Sequence, residues 1–126
     1  MFFLNLGKSC SLFYEGLRQS FAERGLLLFN VFEEDLLAME GEKEVVLVII
    51  NNLRGLHRFL ELKQKLKGRD YFFIEVSSFK NLQKRKKALN KQDNFITIPI
   101  MTRDLVDKVI LLYLQQTVSH RILAAV

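Results

Sequence analysis

The sequence predicts an α/β domain built on a parallel sheet, and three observations carry that prediction. Residues 45–50 read VVLVII, six aliphatic side chains with no polar alternation, ending at Asn51-Asn52. Such a run suits a strand buried on both faces, as a central parallel strand is. Between short apolar runs of this kind lie stretches whose apolar residues recur every three or four positions, the spacing of one helix face. The two patterns alternate five times, which implies right-handed crossovers that place helices on both faces of the sheet.

The elements follow in order. MFFLNL opens as the first strand. From about Ser9 to Arg24, Phe13, Leu17 and Phe21 at i, i+4 and i+8 mark the buried face of a helix, and Gly25 stands where a helix-terminating glycine belongs. LLLFNV is the second strand, and the acidic segment Glu33–Glu40 is a short helix closed by Gly41. Val45–Ile50 is the third strand. Leu56, Phe59, Leu60 and Leu66 place a helix over roughly 54–67, followed by Gly68. YFFIEV is the fourth strand. Phe79, Leu82 and Leu89 give a fourth, basic helix its thin apolar stripe, with KRKK on the exposed side. NFITIPI is the fifth strand. Thr102 is expected to cap the last helix, with Asp104 in its first turn.

The chain has 126 residues, close to the size of one domain, and no repeat, low-complexity tract or linker divides it. A single domain over 1–126 is expected. The longest apolar runs are too short to cross a bilayer, and the N-terminus lacks the basic start and cleavage site of a signal peptide. A cytoplasmic location is the resulting expectation. One cysteine, Cys10, excludes an internal disulfide and a cysteine-rich metal site. The net charge of +5 is unevenly spread: residues 63–91 hold ten Lys/Arg against Asp70 and Glu75, while 33–44 hold six acids against Lys43.

Several motifs have both a functional and an ordinary reading. Gly7-Lys8-Ser9 sits between a strand and a helix as the end of a phosphate-binding loop would. The full motif needs a second glycine five residues earlier, where Phe2 stands, so a plain turn is the better reading. His57 and His120 have no acid or cysteine at a ligand spacing and read as helix histidines. Cys10 lies near a helix start, which can lower a thiol pKa, but it has no neighbouring histidine to activate it. Lys84-Arg85-Lys86-Lys87 could face nucleic acid, yet no stacking aromatics or helix-turn-helix pattern accompany it. A solvated face or a surface for an acidic partner is favoured.

The segment Lys91–Ile100, KQDNFITIPI, resembles the end of a bacterial response-regulator receiver domain, whose last strand typically reads GADDYLTKPF. Asp93, Asn94, Phe95, Ile96, Thr97, Pro99 and Ile100 fall on identical or similar residue types. Ala88-Leu89 before it, Thr102 and Leu105 after it, and Val76-Ser77-Ser78 at the end of the fourth strand also match that pattern. The resemblance implies a flavodoxin-like (βα)5 three-layer sandwich with a five-stranded sheet in the order 2-1-3-4-5.

It also implies what has been lost. In receivers the third strand ends in the aspartate that is phosphorylated, and Asn51 is the best match to it; shifting the alignment puts Ile49 or Asn52 there, and no choice supplies an acid. The Mg²⁺-binding acidic pair matches Asn5 and Leu6, and the phosphate-pairing lysine matches Ile98. Phosphoryl transfer needs a nucleophilic carboxylate and oxygen anions around Mg²⁺, and an amide is a poor nucleophile. A lysine without phosphate or carboxylates beside it would be a buried, unpartnered charge, a cost that Ile98 avoids. Ser77 and the switch-like aromatic Phe95 still match the family. The resemblance therefore implies a pseudo-receiver: not an enzyme, with no cofactor and no metal, signalling by protein contacts without phosphorylation. Its expected working surface is the basic helix, fifth strand and last helix, used for a dimer or another protein partner, with Lys84, Arg85, Lys87, Val109 and Tyr113 at the contact. Two other readings stay open. One is a nucleic-acid-binding accessory protein using the basic region 63–91. The other is a small enzyme working around Asn5, Asn51 and Ser77, an edge at which the sequence places no carboxylate, histidine or lysine.

Overall fold

A computed structural model describes residues 1–39, 43–78, 95–98 and 101–125. The elements are β1 (Phe2–Leu4), α1 (Lys8–Glu23), β2 (Phe29–Val31), α2 (Glu33–Ala38), β3 (Glu44–Ile50), α3 (Leu53–Lys65), β4 (Tyr71–Ser78), β5 (Phe95–Ile98) and α4 (Thr102–Ala125). β2, β1, β3 and β4 lie side by side in that order with every pairing parallel, and the four-residue β5 pairs with the end of β4. The basic helix expected on Phe79, Leu82 and Leu89 lies outside the described residues, as does Gly41.

β3 is the strand its sequence announces. Val45–Ile50 are all buried, with β1 on one edge and β4 on the other. The two faces of the sheet are covered by different helices. Phe3, Leu47 and Ile74 are register partners, and the Phe3 ring meets Tyr14 of α1 at 5.5 Å, so this face looks towards α1. α4 lies beside α1, joined by Arg24 Nη1–Asp107 Oδ1 at 2.5 Å. On the opposite face Phe73 packs on Phe59 of α3 with ring centroids 5.1 Å apart. There the Tyr71 hydroxyl donates to Leu36 O in α2 at 2.7 Å.

The helix ends are built as their sequences suggest. Past α1, Gly25 has φ of 77° and its N–H donates to Ala22 O, while Leu26 N–H donates to Phe21 O. This double closure is a Schellman motif, and only glycine takes the left-handed turn without strain. α3 begins at Asn52, whose Oδ1 accepts from Gly55 N at 2.7 Å, the side-chain cap that a helix start requires.

Four expectations are corrected. The second strand is Phe29–Val31 and does not begin at Leu26, because the sheet edge it joins is β1, itself three residues long. Thr102 is the first residue of α4 instead of its cap, and Leu105 N–H donates to Met101 O one turn ahead of it. Phe13, placed in the core by helical spacing, is 45% exposed, while Leu17 and Phe21 are buried as expected. Val109 is wholly buried with Val106 and Leu105, so it belongs to the core and not to a contact surface. Among the described residues of α4, the large apolar side chains left exposed are Leu111 and Leu114.

Candidate functional site

Because every strand is parallel, the residues that follow β1, β3 and β4 emerge on one edge of the sheet, where α/β folds place their ligands. Asn5 and Leu6 follow β1, Asn51 follows β3, and Ser77 with Ser78 ends β4. The sequence-derived positions are thus brought to one edge, but they do not converge on one point. Asn5 is buried and turned towards α1: its Nδ2 donates to Ser11 Oγ at 3.2 Å and its Oδ1 accepts from Gly7 N at 3.0 Å. Ser77 shares the alternation of Phe73 and Glu75 and so points to the α3 face. It is fully buried, and its hydroxyl has no hydrogen-bond partner among the described residues. Leu6 is buried and Asn51 is exposed. The side chains of Ile98 and Phe95, and the residues Lys84, Arg85 and Lys87, lie outside the described set. Tyr113 is half-buried on α4.

Gly7, which led the strand-to-helix turn to be weighed as a phosphate loop, has φ of 156° and ψ of −176°. Residues with a β-carbon avoid this region, so the turn geometry itself explains the glycine.

Two residues of the edge were missed by sequence reasoning. Arg58, in the second turn of α3, donates from Nη1 to Leu6 O at 2.5 Å and holds its Nε 2.6 Å from Glu33 Oε1 at the start of α2. The Glu33 contact is a charge pairing without hydrogen-bond alignment. A carboxylate therefore does reach this edge, against the expectation that none would, and an arginine is bound to it. Nothing in local spacing signals this pair: the partners are separated by 25 positions and by a whole strand. The chemical consequence is that a cation and a carboxylate are already matched within the chain, tying the β1–α1 turn, α2 and α3 together. Glu33 lies in the first turn of α2, where the exposed N–H groups also favour a negative charge.

Among the described residues no three His, Cys, Asp or Glu side chains group at metal-binding distance, and no helix is long and apolar enough to cross a membrane. Comparison of the chain with protein-family models, with curated proteins and with solved structures finds no match.

Proposed function

We propose that the chain is a flavodoxin-like (βα)5 pseudo-receiver, a non-enzymatic cytoplasmic regulatory domain that works through protein contacts and without phosphorylation. The observation that carries this reading is the Arg58 link at the carboxyl edge. In a phosphorylatable domain that edge needs a free carboxylate and a hydrated divalent cation held by oxygen ligands. Here the strand-end positions are amides and leucine, the Asn5 amide is committed to its own turn, and the nearby carboxylate of Glu33 is matched by a guanidinium. The parallel order β2-β1-β3-β4 with helices on both faces supports the fold assignment.

With the edge chemically quiet, output passes to surfaces that do not depend on it. The basic segment with Lys84, Arg85 and Lys87 and the outer side of the last helix near Tyr113 are suited to an acidic protein partner or to a second copy. The test is direct. The protein is incubated with acetyl phosphate and Mg²⁺ and weighed intact, and it is titrated with beryllofluoride while its fluorescence is followed. No phosphoryl mass and no spectral change are expected. A stoichiometric phosphoryl adduct, or saturable Mg²⁺ binding at millimolar concentration or below, would sink the reading. Nucleic-acid binding with a steep salt dependence would replace it with the accessory-protein alternative.

A further inference from the structure

The amino edge of the sheet, opposite the edge described above, carries a cavity of about 280 Å³ between the strand starts and the last helix. Its floor is Val45 and Phe72, register partners at the beginnings of β3 and β4. They share the alternation of Leu47 and Ile74, so their side chains look to the side of α1 and α4. The wall is Gln116 and Thr117 of α4. Gln116 continues the inward stripe of Leu105, Val109 and Leu112 at helical spacing, so an amide stands where a further apolar residue would extend the core. That amide has no hydrogen-bond partner among the described residues, while the Thr117 hydroxyl donates to Tyr113 O of its own helix at 3.1 Å. Lys43 and Asp70 stand at the rim, immediately before the two strands, where Glu44 N donates to Asp70 O at 3.2 Å. They are exposed and opposite in sign, yet neither forms an ion pair with the other or with any further described residue. Glu44 and Tyr71 complete the rim. As partners in register they alternate to the α3 side, where Leu36 O holds the Tyr71 hydroxyl.

We propose that this cavity binds a free α-amino acid with an apolar side chain. The polar groups around it that have no partner among the described residues are a cation, a carboxylate and an amide, and they border an apolar floor. The ligand's ammonium is matched to Asp70 and its carboxylate to Lys43, and charge-assisted hydrogen bonds of this kind are the stronger ones. The Gln116 amide offers a further donor from the helix side. The aliphatic or aromatic body of the ligand is covered by Val45 and Phe72, away from water. A site that asks for both charges beside one apolar group turns away nucleic acid and the interior of a peptide, neither of which carries a free ammonium and carboxylate on one carbon. The cavity lies at the small end of the range for ligand sites, which suits a molecule the size of leucine or phenylalanine. It uses none of the carboxyl-edge residues, and it stands whether or not the pseudo-receiver reading holds.

Isothermal titration of the full chain with L-leucine and with L-phenylalanine tests it, with thermal unfolding alongside. At least one should bind saturably with a dissociation constant on the order of 0.1 mM, the range open to a ligand of so few atoms. It should also raise the unfolding midpoint, as a ligand of the folded state does. The amide of the same amino acid, which lacks the carboxylate, and its N-acetyl form, which lacks the ammonium, should each bind roughly tenfold or more weakly. Glycine, with no side chain for the floor, should not bind. Asp70→Asn and Lys43→Met are exposed changes that should leave the far-ultraviolet spectrum as it is, and each should weaken binding by a similar factor. Asp70→Asn should also erase the preference over the N-acetyl form, and Lys43→Met the preference over the amide. The proposal is overturned if neither amino acid binds saturably below about 10 mM, or if glycine binds as tightly. It is equally overturned if the amide and N-acetyl forms match the free amino acid, or if both variants bind as the wild type does.

Discussion

Glu75 has no exposed surface and sits in the middle of β4 between Ile74 and Val76, facing α3. Lys63 makes this tolerable. Its Nζ lies 3.4 Å from Glu75 Oε1 and 5.4 Å from the centre of the Phe59 ring, so the ammonium meets both an acid and an aromatic face. Tyr71, on the same face of the strand, shows a more readable dependence. Burial raises its phenol pKa above the usual 10, partly opposed by Arg69 nearby. The folded chain therefore holds this proton more tightly than the unfolded chain does. The Tyr71 contribution is whole below pH 10 and is lost as pH rises through the raised pKa. Tyr71→Phe removes the donor to Leu36 O, and should lower stability at neutral pH by about 1 kcal/mol in urea unfolding. The difference between the two proteins should then shrink at strongly alkaline pH.

At the scale of elements, α2 is six residues long and too short to hold itself. Its start is closed by one of its own side chains and its end is held from outside. At the start, Asp35 Oδ2 accepts from Phe32 N at 2.8 Å. At the end, Arg69 Nη1 reaches back from beyond α3 to the carbonyls of Leu37 at 2.6 Å, Met39 at 2.8 Å and Leu36 at 3.3 Å. These are carbonyls that a helix end leaves without partners. Arg69→Ala should cost about 1.5–3 kcal/mol in urea unfolding, the range for hydrogen bonds that involve a charged group. Hydrogen exchange in residues 33–39 should quicken with it. Arg69→Lys should recover only part, since an ammonium lacks the planar reach of the guanidinium.

The elements also show what the sequence could and could not reveal. β3 and the helix α3 were legible because burial on both faces, or on one stripe, leaves a direct trace in residue type. The carboxyl-edge positions were legible because a parallel sheet collects its strand ends. Phe13 was misread because helical spacing identifies a face and not how deeply each residue of that face is buried. Arg58–Glu33 was invisible because charge pairs across separate crossovers leave no periodicity at all. Val109 was misassigned because α4 is apolar on more than one side, and only its packing tells the core side from the outer one.

For the molecule as a whole, Arg58 matters more than its exposure suggests, since it ties α3 to both the β1–α1 turn and the start of α2. Arg58→Met and Glu33→Gln should each lower stability by about 1 kcal/mol, above the usual exposed pair because Arg58 also serves Leu6 O. The double variant should lose less than the two singles combined, by at least about 0.5 kcal/mol, as contacting partners do. Strict additivity in urea unfolding would show that the two side chains act independently.

The place of β3 in the sheet has one more consequence, during synthesis. VVLVII leaves the ribosome with β1 already available to cover one edge, but the other edge waits for β4, whose first residue is 21 positions after the last of β3. Until then the chain carries six consecutive aliphatic residues with high strand propensity, no charge and no proline. That is the composition of segments that stack into cross-β aggregates. Folding speed over that interval, more than final stability, then governs how much newly made chain escapes aggregation, and the intervening α3, dense in Arg and Lys, separates the sticky strand from its partner with a stretch of charge that keeps the unfinished chain in solution.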